Sequence, residues 1–446
     1  GDVKCWGGNE YGALGNANLG TGNTASGSNI YLEPVVVGNG PYGEDIDGTT
    51  HVFNEGDVED MAGGWLHHCA LEREQSGGTK VWCWGYNGYG QVGDGTTTSR
   101  KVPVLVKHLN GSALTGVSSL ALGWDTTCAA MSAGGVMCWG RNEETLGFAC
   151  GDGTSGHKSN PVWVKMSADG SDLQGAVREL YVGQFSFCAL FDDDLDRMVC
   201  WGTQTMGIAN PGVNPDTTTH DGMAKEITYF KDQGKRVKSL GLGFDHSCAL
   251  LTTGTVECWG KNYKGQLGVN CGNDSFVPAQ VPGLSGVASI DGGTRFTCAI
   301  ISSTGEVKCW GNNDTNQHGS GIANNHYDNT GGYGIEDQTY CGVTSSVANI
   351  GRNGNPFARV LAVSWYHACA TMRDFTIRCW GSNKVAQLGD HQRVTNFPQT
   401  VGREPVTVIL SKGPPEVNFT AFDTRGACGC CDDSMKAMGF HTDCKA

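Results

Sequence analysis

The chain has 446 residues, with 31 Lys and Arg against 45 Asp and Glu for a formal charge of −14, and its basic residues form no run. That balance excludes a nucleic-acid or anionic-membrane binder held by charge, and no stretch approaches the roughly 18 to 20 apolar residues of a membrane-spanning helix. Glycine, at 68 residues, is too frequent for a helical protein and lacks the triplet period of collagen, so many tight turns are expected.

The first informative element is Cys5-Trp6-Gly7, a tripeptide that recurs at Cys83, Cys138, Cys200, Cys258, Cys309 and Cys379. The spacing runs from 51 residues, Cys258 to Cys309, to 78 residues, Cys5 to Cys83. A unit of this size is a blade-sized β module with insertions of variable length. Seven copies predict an all-β, seven-bladed propeller that uses the whole length as one architecture over residues 1–428, followed by a short cysteine-rich tail at 429–446.

A second motif, Cys-Ala after a small or polar residue, precedes six of the seven tripeptides, at Cys69, Cys128, Cys188, Cys248, Cys298 and Cys369. Cys248-Ala-Leu-Leu, a Thr-Thr-Gly turn and Val256-Glu-Cys258 read as two strands reversing at a Gly-containing loop, which sets the sulfurs opposite each other. The predicted disulfides are therefore Cys69–Cys83, Cys128–Cys138, Cys188–Cys200, Cys248–Cys258, Cys298–Cys309 and Cys369–Cys379. Cys5 has no upstream partner, and Phe422-Asp-Thr-Arg-Gly-Ala-Cys428 aligns with Leu242-Gly-Phe-Asp-His-Ser-Cys248. A Cys5–Cys428 bond closing the ring follows. Of the other cysteines, Cys271 and Cys341 sit in long loops of neighbouring repeats and are paired; Cys150, Cys430, Cys431 and Cys444 are also read as disulfide-forming, with connectivity open.

So many structural disulfides require an oxidising compartment, which implies secretion or cell-surface display. Four sequons, at Asn110, Asn273, Asn313 and Asn418, fit a eukaryotic secretory route and mark candidate glycosylation sites. The chain opens on Gly1-Asp-Val-Lys-Cys5 without an apolar leader, as a processed chain would.

Trp84-Gly-Tyr-Asn-Gly-Tyr-Gly-Gln-Val-Gly93 and Trp259-Gly-Lys-Asn-Tyr-Lys-Gly-Gln-Leu-Gly268, each followed by a polar loop, with a Pro-x-x-Val strand as at Val102-Pro-Val-Leu-Val106, resemble the repeats of the regulator of chromosome condensation propeller family. The resemblance covers nearly the whole chain. It implies a propeller that works through its faces and loops and shares no catalytic residue set with its relatives. One member of that family, a plant UV-B photoreceptor, places Trp two residues before a His, and Trp65-Leu-His67 and Trp365-Tyr-His367 match, with Trp124-Asp-Thr126 matching in part. These repeats are not three in a row and lack the Arg that should follow each Trp, so photoreception is not implied. Equivalent sites recur around a propeller, which places Trp65, Trp124, Gln184, Phe244, Thr294 and Trp365 in a ring on one face near the central channel. Trp65, Trp124, Phe244 and Trp365 are the candidate binding residues.

No catalytic story competes. His67, His246 and His367 recur with the module and bond neighbouring loop backbone rather than a metal. Asp192-Asp-Asp-Leu-Asp196 lacks the Gly and terminal Glu of an EF-hand loop and reads as a solvated turn. Cys428-Gly-Cys-Cys431 with His441 and Cys444 lacks the second matched pair of a zinc cluster. The expectation is a non-enzymatic, extracellular structural protein without metal or cofactor. Its partners are other extracellular proteins or copies of itself, with glycans as a further class. It would be a subunit of a filament or matrix with interface insertions at Gly15–Asn29 and Asn312–Cys341. The alternative is a soluble secreted recognition module, a protein inhibitor or sugar binder, using the aromatic face.

Overall fold

The computed structural model describes residues 3–408 apart from 17, 20–29, 38–50, 52, 54–56, 75–76, 145–147, 194–196, 204–221, 270–271, 321–344, 352–353, 384–386 and 391–403. Within these, six four-stranded antiparallel sheets follow one another along the chain, each running in sequence order from innermost to outermost strand. The innermost strands are Val58–Gly63, Val117–Leu122, Val177–Val182, Val237–Leu242, Val287–Gly292 and Ala358–Val363. Each packs on the next in that order, so the sheets are blades around a central axis.

The second and third strands of each blade form the hairpin anticipated from the cysteines. Cys69 faces Cys83, Cys128 faces Cys138, and the other four pairs likewise. All six are disulfide-bonded across Cα separations of 4.0 to 4.1 Å. Three of the second strands, Ser186–Phe191, His246–Leu251 and His367–Met372, are buried at every position, and the other three at all but the last, because both sheet faces meet a neighbouring blade. A strand buried on both sides reads as a continuous run of apolar and small residues rather than an alternation.

Cohesion lies between blades, and the repeat motif supplies it. Each hydrophobic cluster holds one tryptophan of a Cys-Trp-Gly tripeptide: Trp84, Trp139, Trp201, Trp259, Trp310 and Trp380, and also Trp6. The indole N–H of Trp139 donates to Gln91 O of the preceding repeat at 2.9 Å, and Trp310 does the same to Gln266 O and Trp380 to Gln317 O. The glycine two residues after each such glutamine lets the indole in. Gly93 has φ +76°, and a Cβ there would lie 2.6 Å from Trp139 Nε1. Within the same loop the motif asparagine accepts a backbone N–H from five residues on, as Asn87 does from Val92 and Asn262 from Leu267.

The blade count corrects the sequence reading: the described residues make six complete blades, not seven. Among the described residues the first module appears only as β1 (Lys4–Gly8), its Cys-Trp-Gly strand, paired with β2 (Ile30–Val36). Cys428 and the expected tail lie outside the described residues. The short pair nevertheless stands between the last blade and the first. Trp6 packs with Ala362, Cys369 and Leu388 and donates to Gln387 O at 3.2 Å, while Cys5 and Leu14 pack with Met61, Ala70 and Trp84. Cys5 is itself disulfide-bonded. The Cys271–Cys341 pair and most of the two expected interface insertions also lie outside the described residues. Cys150 is a buried free thiol, not the disulfide partner anticipated. It takes the leucine position of its loop, its amide bonded to Asn142 Oδ1, and is a core residue.

Candidate aromatic mouth of the channel

The tight turn between the first and second strands of each blade points at the axis. These turns bring Trp124, Gln184, Phe244, Thr294 and Trp365 around the channel, which glycines 63, 64, 123, 183, 243, 292 and 293 also line, and Trp65 joins them by ring contact with Trp124 and Trp365. The six ring positions anticipated from the repeat are thus adjacent in space. Backbone hydrogen bonds join them from blade to blade. Trp65 N donates to Trp124 O at 3.2 Å, Trp124 N to Gln184 O at 3.0 Å, Phe244 N to Thr294 O and Thr294 N to Trp365 O, both at 3.3 Å.

This belt explains the glycine that precedes five of the six ring residues, Ser364 standing before Trp365, by close approach rather than backbone sign. A Cβ at Gly123 would lie 2.8 Å from Gln184 O, one at Gly183 2.6 Å from Gly243 O, and one at Gly243 2.7 Å from Gly293 O. Any side chain there would push one blade off the next at the axis.

The three tryptophans converge although their repeats are not consecutive. Trp65 meets Trp124 edge-on at 4.9 Å between centroids, Trp124 meets Trp365 edge-on at 4.6 Å, and Trp65 and Trp365 stack at 6.0 Å. Phe185 stacks on Trp124 at 5.4 Å and Tyr366 lies beside Trp365. Trp65 is 39% and Tyr366 44% exposed, while Phe244 is half-buried. The loops after Cys-Trp-Gly reach the same face, since Arg141 N donates to Asp125 O and Lys261 N to Asp245 O. They add Tyr89 and Tyr263.

Two arginines that the sequence reading did not single out complete the mouth. The Arg141 guanidinium lies 4.7 Å from the Tyr89 centroid and 5.7 Å from that of Phe185, and it pairs with Asp125 and Glu143. The Arg295 guanidinium lies over Phe244 and Tyr263 and 3.5 Å from Asp245. Burial pushes the Asp125 carboxyl up to about 6, against the pull of Arg141. The signal available beforehand was positional: Asp125, Asp245 and Arg295 each directly follow a ring residue.

The module histidines are structural. His67 Nε2 lies 2.9 Å from Thr127 Oγ1 and His246 Nε2 2.8 Å from Thr297 Oγ1, each on the next blade, a side-chain rather than the anticipated backbone partner. His367 is buried in the equivalent place. Among the described residues no group of His, Cys, Asp and Glu could hold a metal ion. Of the acidic turn, Asp193 pairs with Arg197, and 194–196 lie outside the described residues. Asn110 and Asn273 are exposed. Asn313 is a loop-capping asparagine, its Oδ1 accepting from His318 N, and Asn418 lies outside the described residues.

Comparison with known proteins places this geometry among relatives. Profiles described as Regulator of chromosome condensation (RCC1) repeat match residues 80–130 and 253–300, and 117–144 and 237–266. The ultraviolet-B receptor UVR8 of Arabidopsis thaliana is 26% identical over 73% of this chain and 66% of its own length. The mitochondrial RCC1 domain-containing protein RUG3 of the same plant is 28% identical over 58% of this chain and 55% of its own. The match thus spans less than two thirds of either relative. Prp20p of Saccharomyces cerevisiae superposes with a TM-score of 0.68 at 20% identity, covering 98% of this chain and 93% of Prp20p. Human WBSCR16 gives 0.68 at 16%, covering 97% and 99%. At these identities the two structures speak to fold alone.

Proposed function

We propose that this chain, whose repeats match the regulator of chromosome condensation (RCC1) repeat over residues 80–144 and 237–300, acts by binding, as a secreted, disulfide-stapled propeller that takes a protein partner on the aromatic mouth of its channel. The observation that carries this is the convergence of Trp65, Trp124 and Trp365 into one partly exposed cluster held by a backbone belt. Aromatic side chains fixed at the centre of a face, with arginines at their edge, are the composition of binding hot spots. Rigid presentation also lowers the ordering cost of association.

Six buried hairpin disulfides support the oxidising compartment, and exposed Asn110 and Asn273 fit glycosylation there. The finer architecture proposed is a seven-membered ring in which the chain's last strands complete the module begun by β1 and β2. The partner can be another copy of this chain or another component of an extracellular filament or matrix. Electron microscopy and sedimentation of native, non-reduced material decide between assembly and dispersed particles of about 47 kDa. In either form Trp65→Ala with Trp124→Ala is expected to weaken the purified partner's affinity at least 100-fold with the fold intact by circular dichroism. An unchanged affinity would remove the face from the binding role.

A further inference from the structure

The polar atoms that line the mouth share one chemical character. Trp124 Nε1 is buried and has no hydrogen-bond partner, and neither has Gln184 Nε2, whose residue is only 8% exposed. The two residues are neighbours on the belt, Trp124 N bonding Gln184 O, and both line the channel. Next along the ring is Phe244, and over its face lies the Arg295 guanidinium, whose buried Nε makes no hydrogen bond and faces Asp245 Oδ2 at 3.5 Å as an ion pair. Asp245 and Tyr263 fix that guanidinium, and the Arg295 side chain remains 31% exposed.

All three are donors, and one carries a full positive charge. A buried N–H without an acceptor costs free energy comparable to the hydrogen bond it forgoes, and native structures leave few such groups without a reason. A ligand that brings donors would gain nothing from this set. A ligand that brings paired oxygens with a negative charge satisfies it, since charge-assisted bonds from N–H groups and guanidinium are the stronger kind.

We propose that the channel mouth is a receptor for a carboxylate presented by the protein partner, with Trp124 Nε1 and Gln184 Nε2 as donors and Arg295 as the counter-charge. The proposal rests on the aromatic-face reading and sharpens it: the partner inserts an acidic side chain where Trp65, Trp124 and Trp365 cover its apolar stem. The chain's overall charge of −14 then works against long-range attraction of acidic proteins, so recognition depends on short-range contact with this one cation. Affinity for a carboxylate should accordingly rise as salt screens the long-range repulsion.

The test uses the intact oxidised protein labelled with ¹⁵N, titrated with N-acetyl-aspartate N-methylamide and, separately, with its asparagine analogue. Saturable shifts of the Trp124 indole and Gln184 amide signals with the aspartate probe, at least fivefold weaker with the asparagine probe, are expected. Arg295→Gln should weaken the aspartate response about tenfold. Trp124→Phe, which keeps the ring and removes the N–H, should weaken it while leaving the dispersed spectrum of the fold. Equal responses to the two probes, or no response to either, would overturn the proposal. So would shifts at these two signals with a neutral trisaccharide but not with aspartate, which would assign the donors to sugar oxygens. If partner affinity is lost in the Trp65→Ala, Trp124→Ala variant while aspartate produces no shift, the aromatic face stands and the carboxylate receptor falls.

Discussion

His67, His68, His318 and His367 are buried without the solvation an imidazolium needs, and burial lowers their pKa to about 3, 4, 4 and 3 respectively. The folded state therefore keeps them neutral, while the unfolded chain takes up protons below about 6.5. Stability from these groups is fully present above that value and is lost as the pH falls through the window from about 6.5 to 4, at about 1.4 kcal/mol per histidine per unit. Asp125 acts in the opposite sense, since its raised pKa favours folding at low pH, but it is one group against four. Urea titrations at pH 7 and pH 4.5 should show a markedly lower midpoint at the acid end, and His367→Gln should flatten the slope between them. An unchanged midpoint would mean that these rings find solvent in the folded state. The structural role of His67, His246 and His367 was legible from their recurrence two residues before a hairpin cysteine. The partners were not, because Thr127 and Thr297 belong to the next blade.

At the scale of the element, the loop after each Cys-Trp-Gly fixes one blade to the following one, and the third repeat provides an internal control. There Asn142 caps Cys150, eight residues on, where Asn87 caps Val92, five residues on. The loop is longer by three residues, Ala149 replaces glutamine, and Trp201 Nε1 has no partner. Trp310, with the standard loop, bonds Gln266 O at 3.0 Å. Trp310→Phe should thus cost about 1 to 2 kcal/mol more than Trp201→Phe, because only the former removes a hydrogen bond, leaving the buried Gln266 carbonyl only the long bond from Thr297 Oγ1 at 3.5 Å. Equal losses in denaturant titrations would show that the indole contributes by volume only. The motif Trp-Gly-x-Asn-x-x-Gly-Gln-Leu-Gly was evident in the sequence. Its division of labour, the asparagine turning the loop and the glutamine carbonyl receiving the next blade's tryptophan, needed the pairing of residues far apart in sequence, 48 positions for Trp139 with Gln91.

At the scale of the whole molecule, closure is the open end of the ring meeting its beginning. Trp6 is 2% exposed and bonds Gln387 O, so the contact that joins successive blades also joins the last repeat to the first. A Cβ at Gly389 would lie 2.9 Å from Trp6 Nε1, as one at Gly15 would lie 2.8 Å from Trp84 Nε1. Non-reducing peptide mapping is expected to link Cys5 to Cys428, which would supply the missing inner hairpin of the first module; a bond from Cys5 to Cys430, Cys431 or Cys444 would remove that registration of the strands. Sequence by itself determined the propeller class, the six hairpin disulfides and the ring of positions 65, 124, 184, 244, 294 and 365, because each is a local pattern repeated at nearly constant offset. Only the tertiary structure decided that three non-consecutive tryptophans meet at the axis, that Arg141 and Arg295 stand among aromatic rings, and that the donors of Trp124 and Gln184 are left facing the channel. Those facts depend on which blades are neighbours across a closed circle, and a closed circle brings together residues whose separation along the chain carries no trace of their contact.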